Sequence, residues 1–149
     1  MRTILVIIIS LAFCGCAVKY FSLSDTKLKS GQVFTTYGIS YSLGQDSILI
    51  DKCKPTLDSI LNFLNTHPDL KVELGSHTDF RGDDGKNLAL SQYRAERLKE
   101  YFVSQTVNPV RLVAKGFGEA KPIRSKKDQD KLGDHAQNVN RRTTIKIIK

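Results

Sequence analysis

Residues 71–95 read KVELGSHTDFRGDDGKNLALSQYRA, and this stretch decides the fold. Val72 and Leu74 alternate with polar residues, which is the pattern of a half-buried β-strand. A polar loop rich in Gly and Asp follows from Thr78 to Lys86, and Ser91 is predicted to cap a helix after it. The stretch therefore predicts a strand, a long loop and a helix in succession.

The chain before this stretch predicts one strand and one helix. Residues 32–43 are rich in β-branched and aromatic side chains, which predicts strand structure, broken near Gly38. Pro55 suits the first turn of a helix, and His67-Pro68 ends it because the residue before a proline avoids the helical conformation. The apolar residues between these limits have the spacing of an amphipathic helix: Leu57, Ile60, Leu61 and Leu64.

The chain after the stretch predicts the rest of the fold. The apolar stripe of the second helix consists of Ala95, Leu98, Tyr101 and Phe102. Residues 110–114 predict a third strand, a basic loop runs to about Asn138, and residues 143–147 alternate as in a final strand. Strands separated by helices favour a sheet with parallel pairs. We expect an α/β fold, a two-layer βαβαβ-β sandwich whose mixed sheet is covered on one face by two helices.

Composition predicts one ordinary globular domain. The chain has 149 residues, of which 40% are hydrophobic and 26% are charged, and its formal net charge is +8. Excess positive charge favours anionic partners such as nucleic acid, anionic lipid or wall polymers. The basic residues are spread along the chain, however, and the short clusters Lys126-Lys127 and Arg141-Arg142 are too few to line a nucleic-acid groove. We therefore expect no nucleic-acid partner.

The N-terminus predicts secretion. Arg2 precedes an apolar run, residues 4–13, that is too short to span a bilayer but fits a signal peptide. The run ends at Phe13-Cys14-Gly15-Cys16, which resembles a lipoprotein processing site. Gly15 is small, so we expect cleavage of residues 1–15 and acylation of Cys16, by chains such as palmitate, rather than of Cys14. Several acyl chains anchor a protein stably to a membrane.

These limits divide the chain into three parts. We expect a signal peptide at residues 1–15, a tether at residues 16–31 and a folded domain at residues 32–149. Because an acylated Cys16 cannot pair, Cys53 has no intrachain partner and is predicted to be a small buried hydrophobe.

Asp79 and Arg94 are the candidate functional pair. Asp79 follows the predicted strand directly, where ligand sites in such sheets concentrate, and Arg94 falls in the first turn of the helix predicted from Ser91. The loop between them can bring both charges to one place. They then either neutralise each other or hold a zwitterion, with the carboxylate binding an ammonium and the guanidinium binding a carboxylate. Residue chemistry alone leaves both meanings open and favours the structural pair.

Several spaced motifs resemble those of the OmpA-like domain family, which includes the peptidoglycan-associated lipoproteins. The matching residues are His77-Thr78-Asp79, Gly82, Asn87, Leu90-Ser91-Gln92-Tyr93-Arg94-Ala95, Lys115-Gly116-Phe117-Gly118-Glu119, Pro122 and Asn140-Arg141-Arg142. The resemblance covers about Gln32 to Lys149. Two positions depart from the pattern: Ser42 stands where many members carry Asp, and Ser76 stands where Gly is usual.

The resemblance implies non-covalent binding of the wall peptide by its diaminopimelate. By this resemblance Asp79 holds the ammonium of the zwitterion, Arg94 holds the carboxylate, Thr78 and Asn87 line the pocket, and Arg141 is a further contact. It also implies no catalysis and no cofactor, a location at the outer membrane with the domain facing the periplasm, and possible protein partners in the envelope.

One enzymatic alternative stays open. A metal-dependent hydrolase would need about three convergent ligands. The candidate ligands are His77, Asp79, Asp83 or Asp84, with His67 or His135. The sequence contains no His-Glu-x-x-His spacing, and His77 is predicted instead to be a structural residue near the loop.

Overall fold

The protein is described here by a computed structural model, which covers residues 19–20, 22–42 and 47–149. Within these residues five strands form one mixed sheet, accompanied by four α-helices. The strands are β1 (Lys19–Tyr20), β2 (Gln32–Thr36), β3 (Val72–His77), β4 (Leu112–Gly116) and β5 (Arg142–Ile147). The helices are α1 (Ile50–Thr66), α2 (Asp84–Ser104), α3 (Lys126–Leu132) and α4 (Asp134–Asn140).

The sheet brings three parts of the chain to one edge. Its strand order is β1-β2-β5-β3-β4, and β5 is antiparallel to both of its neighbours whereas β3 and β4 are parallel. The ends of β3 and β4 therefore lie at the same edge as the beginning of β5. His77, the last residue of β3, is opposite Arg142, the first residue of β5.

Helices α1 and α2 cover one face of this sheet. Alternate residues of β3 and β5, including Leu74 and Ile145, point to that face and pack with both helices. The helix residues of this core are Cys53, Leu57, Ile60, Phe63, Leu64, Leu98 and Phe102, each at most 1% exposed. The predicted two-layer sandwich with a mixed sheet is confirmed, and so is the prediction that Cys53 is a buried, unpaired side chain.

Helix α1 begins five residues before the predicted start. It begins at Ile50, so Pro55 lies in its second turn rather than its first. The first turn closes on Leu49, whose carbonyl accepts the N–H groups of Lys52 and Cys53 at 3.0 and 3.2 Å. The earlier start buries Cys53 on the core face of the helix. Pro55 lacks the backbone donor for one helical hydrogen bond, and α1 continues through it.

Helix α2 also begins earlier than predicted. The prediction that Ser91 is its N-cap is wrong, because the helix begins at Asp84 and Asp83 caps it by accepting the Lys86 N–H at 3.0 Å. Ser91 lies inside the helix instead. Arg94 is consequently in the third turn, not the first. The capping signal was present in the sequence within the segment that was predicted to be a loop.

The predicted strand at 110–114 begins two residues later, at Leu112. Residues Pro109–Arg111 form a 3₁₀ turn, and Asn108 caps it by accepting the Val110 N–H at 3.0 Å. The turn directs Arg111 to the end of α1, where its guanidinium donates to the carbonyls of Leu64 and His67 at 2.8 and 2.7 Å. Arg111 therefore satisfies carbonyls that a helix end leaves without partners.

The predicted basic loop before the last strand is largely helical. It contains α3 and α4, separated by Gly133 at φ 53°. Asn140 joins this segment to the chain after β4, because its side-chain oxygen accepts the N–H groups of Ile123 and Arg124 and its amide donates to the Arg124 carbonyl. A single buried amide thus closes the long connection. Such a contact between distant residues leaves no periodic pattern in the sequence.

The predicted tether at 16–31 includes β1, which pairs with Gln32 and Val33 of β2. The predicted signal peptide and Cys16 lie outside the described residues. Within the described part of the chain, no helix is both long and apolar enough to cross a membrane.

Candidate functional site

The loop between β3 and α2, residues 78–83, is held at both ends and turns at a glycine. The Thr78 N–H donates to the Gly118 carbonyl at 2.9 Å, which attaches the loop to the turn after β4. Gly82 adopts φ 101°, a conformation that side chains with a Cβ rarely adopt. Asp83 then caps α2. The loop conformation is therefore determined by its own residues and by its neighbours in the sheet.

Asp79 lies in this loop and is 6% exposed. Its Oδ1 accepts the Arg81 N–H at 3.0 Å, and its Oδ2 forms an ion pair with Nη1 of Arg141. A buried carboxylate requires such partners because burial removes its hydration. The pair follows from the sheet, since the His77–Arg142 register brings Arg141 to the loop.

The cation that pairs with Asp79 is Arg141, and Arg94 makes a different contact. The guanidinium carbon of Arg94 lies 4.8 Å from the centroid of the Tyr41 ring, in a cation–π contact. Asn87 and Arg94 are seven residues apart on α2, so they share a face of the helix about 10 Å apart along its axis. The site therefore has two cations at different places. Arg141 forms an ion pair with Asp79, and Arg94 forms a cation–π contact with Tyr41.

Tyr41 was not predicted as a site residue. Its hydroxyl donates to the Arg94 carbonyl at 3.5 Å, so the residue contacts both ends of Arg94. Burial raises the pKa of Tyr41 to about 12, against the lowering effects of a hydrogen bond with Thr143 and of the Arg94 charge. The phenol is therefore neutral at physiological pH. The signal in the sequence was an aromatic residue at the family's first-strand motif, next to Ser42.

Asn87 holds the loop rather than projecting freely into a pocket. Its Nδ2 lies near three acceptors: the carbonyls of Asp79 and Arg81 at 3.3 and 3.1 Å and the Glu119 carboxylate at 2.7 Å. An amide nitrogen has two hydrogens, so these contacts are shared. Glu119 was noted only as part of a motif, and the structure brings it to the site.

Gly116, the last residue of β4, and Gly118, two residues later, allow α2 to approach this edge closely. A Cβ at Gly116 would lie 2.3 Å from the backbone nitrogen of Gln92, and a Cβ at Gly118 would lie 3.0 Å from that of Leu88. Ser91 completes the contact, because its Oγ accepts the Gly118 N–H at 2.8 Å. The Gly-x-Gly motif therefore sets the position of α2, and with it the position of Asn87.

His77 packs beside the site on the other face of the sheet. Its ring stacks on Phe117 at 4.8 Å between centroids, and its Nε2 lies 3.2 Å from Oγ1 of Thr144. Burial, and secondarily the charges of Arg142 and Lys121, lower the pKa of His77 to about 3. A neutral, stacked imidazole suits a structural role.

The metal-hydrolase alternative finds no support in the geometry. Among residues 22–42 and 47–149, no group of three or more His, Cys, Asp or Glu side chains is arranged to hold a metal ion. Asp79 is engaged with Arg141, and His77 is engaged with Thr144 and Phe117.

The OmpA family model matches residues 44–138. The chain belongs to the OmpA family. A peptidoglycan-associated lipoprotein of Pasteurella multocida is 31% identical over 121 residues, which are 75% of this chain and 76% of that protein. Outer membrane porin F of Pseudomonas fluorescens is 35% identical over 89 residues, 60% of this chain but only 26% of the porin.

A solved OmpA-family structure has the same fold. The crystal structure of the peptidoglycan-associated lipoprotein from Burkholderia pseudomallei superimposes with a TM-score of 0.59 at 23% identity, covering 73% of this chain and 87% of that one. The matched part of porin F is about a quarter of its length, so what this chain shares with that protein is one domain of the OmpA family.

Proposed function

We propose that this chain is a lipid-anchored envelope protein whose domain binds the peptide stems of peptidoglycan without covalent chemistry. The observation that supports this proposal most directly is the buried Asp79 carboxylate, two residues after the end of β3. A carboxylate has about four acceptor positions, and two of them are used by Arg81 and Arg141. Positions therefore remain for an ammonium group.

The ammonium of a diaminopimelate zwitterion is the ligand group we assign to Asp79. Arg141 forms an ion pair with the carboxylate, and Asn87 fixes the backbone of the Asp79 loop. Both residues therefore position Asp79. Thr78 precedes Asp79 and is 5% exposed. We assign it to the wall of the pocket that would hold the ammonium group.

The carboxylate of the zwitterion is the group we assign to Arg94. A guanidinium binds a carboxylate through two parallel N–H donors, which requires a fixed plane. The Tyr41 ring under Arg94 restricts that plane. Asn87, which bonds to the Asp79 backbone, and Arg94 lie on the same face of α2, and we assign the two ends of one ligand to this face.

The relatives support the wall as the source of this zwitterion. The Pasteurella and Burkholderia proteins are both named peptidoglycan-associated lipoproteins. Their names also support a place in the cell envelope. We propose that Cys16 carries the lipid after removal of residues 1–15, and that it holds the domain at the outer membrane, facing the periplasm. Mass spectrometry of the purified chain tests this point, because Cys16→Ser should abolish the acyl modification and Cys14→Ser should not.

The wall-binding proposal is tested by retention on purified sacculi. The full chain in detergent is incubated with sacculi, and the bound fraction is measured for Asp79→Asn and for Arg94→Gln. Each change leaves a ligand charge without its partner, so each should weaken binding by about 2–5 kcal/mol. Matched controls are Asp58→Asn and Arg97→Gln, which alter exposed ion pairs on α1 and α2.

Folding of each variant is checked by its thermal transition. If folded Asp79→Asn and Arg94→Gln are retained as well as the controls, the wall is not the ligand of this site. In that case an envelope protein becomes the better candidate partner for the domain.

A further inference from the structure

Three buried polar atoms stand out around the candidate site. Within the described part of the chain, Nδ1 of His77, Oγ1 of Thr78 and Oε1 of Gln137 have no hydrogen-bond partner. These residues are 5, 5 and 7% exposed. A buried polar atom without a partner costs free energy, so each instance in a folded protein calls for an explanation. His77 points to the opposite face of the sheet, which leaves Thr78 and Gln137.

Thr78 and Gln137 flank the Asp79–Arg141 ion pair. Thr78 is adjacent to Asp79 in the chain. Gln137 is one helical turn before Arg141, and its carbonyl accepts the Arg141 N–H at 3.0 Å. The two unpartnered oxygens therefore belong to the two segments that the ion pair joins, the loop after β3 and helix α4.

We infer that Gln137 is a further ligand-binding residue of this site, accepting a hydrogen bond from the ammonium group that Asp79 neutralises. The inference rests on the proposed function. An ammonium has three N–H donors, and Asp79, Thr78 and Gln137 together offer three oxygen acceptors. The Asp79 carboxylate would repel a ligand carboxylate, and the unpartnered atom of Gln137 is an oxygen acceptor, so this end of the site suits the cation of the zwitterion.

Access to these oxygens requires a movement. Both atoms are covered by the surrounding residues. The side chain on Asp79 is that of Arg141, which is 41% exposed and donates its second nitrogen to Asn138 of the same helix. Because Arg141 is partly exposed and has a second acceptor, its side chain can move away from Asp79 and let a ligand ammonium bind there. The ammonium of the ligand would then donate to both of these oxygens.

The test uses two synthetic tripeptides that differ in one amino group. The first is N-acetyl-L-Ala-γ-D-Glu-meso-diaminopimelate, and the second has hydrogen in place of the one free amino group, which belongs to the diaminopimelate. Calorimetric titration of the full chain in detergent gives the affinity ratio of the two ligands. Gln137→Met should lower this ratio about 10- to 100-fold, the effect of one hydrogen bond to a charged group, and should leave the second ligand's affinity unchanged.

Two further variants make the result decisive. Gln105→Met, at an exposed position after α2, should leave the ratio as in wild type. Gln137→Glu places a carboxylate at the same position and should raise the ratio, which keeps the inference testable if Gln137→Met does not fold. An unchanged ratio in a folded Gln137 variant, or an equal loss for both ligands, overturns the inference alone. If the wild-type chain does not distinguish the ligands, the proposed function itself fails.

Discussion

The Asp79 carboxylate and the Arg141 guanidinium form an ion pair across 62 positions of the chain. The pair joins the end of β3 to the residue before β5, at the edge of the sheet where β4 also ends. The Asp79 side chain is 8% exposed and that of Arg141 is 41% exposed, so the anion is the buried partner. Removing the Arg141 cation therefore leaves a buried carboxylate without its partner, which removing a charge from a surface pair would not do.

Arg141→Gln should destabilise the protein by about 1–3 kcal/mol. Breaking a fully buried pair costs about 3–5 kcal/mol, and the partial exposure of Arg141 reduces that figure. Urea unfolding of the full chain measures the change. Arg97→Gln, which breaks an exposed pair with Glu100, is the control and should cost less than about 1 kcal/mol. Equal effects of the two variants would contradict the prediction.

Ser91→Ala should cost about 1–3 kcal/mol. Ser91 Oγ accepts the buried Gly118 N–H at 2.8 Å and donates to the Leu88 carbonyl, so alanine leaves that N–H without a partner. Ser59→Ala is a matched control, because Ser59 Oγ donates only to the Pro55 carbonyl on an exposed face of α1. The control should change stability by no more than about 0.5 kcal/mol. Denaturant midpoints of both variants provide the comparison.

Gly116→Ala and Gly85→Ala should have opposite signs. A Cβ at Gly116 meets backbone atoms of Gln92 at 2.3 and 2.6 Å, so α2 must shift and the protein should lose about 1–3 kcal/mol. A Cβ at Gly85 meets only the Asp83 carboxylate, at 3.1 Å, and alanine favours the first turn of α2 by up to about 1 kcal/mol. Thermal unfolding measures both, and a tolerated Gly116→Ala would show that the close contact is not required.

Stability should fall below neutral pH because of His77. The pKa of His77 is about 3 in the folded chain and 6.5 in the unfolded chain, so the unfolded chain binds the extra proton between these values. The contribution is complete above pH 6.5 and decreases as the pH falls toward 3, at about 1.4 kcal/mol per pH unit. This amounts to about 2 kcal/mol between pH 7 and 5.

His77→Phe keeps the stack on Phe117 and removes the proton site. Its unfolding free energy should therefore change by about 2 kcal/mol less than that of wild type between pH 7 and 5. The comparison of slopes is independent of any constant loss from the missing contact with Thr144. Identical slopes in the two proteins would show that His77 does not carry this pH dependence.

Much of the fold could be predicted from local patterns. Polar and apolar residues alternate at 143–147, and the structure has a strand there. The apolar residues from Leu57 to Leu64 have helical spacing, and the structure has a helix there. Both patterns repeat within a few residues. Helix starts were predicted less well. Asp83 and Ser91 are both capping residue types, and the structure uses Asp83 as the cap while Ser91 lies inside α2 and bonds to Gly118, 27 residues away.

The candidate site also has features that local sequence predicts and features that only the tertiary structure decides. The sequence by itself determined that Asp79 follows a strand, that Gly116 and Gly118 lie where another strand ends, and that Arg94 lies on a helix, because each of these depends on neighbouring residues. Only the tertiary structure decided that Arg141 pairs with Asp79 while Arg94 lies on Tyr41. That choice depends on the register of β5 against β3, and packing of the whole core, not any local pattern, determines the register between strands so distant in the chain.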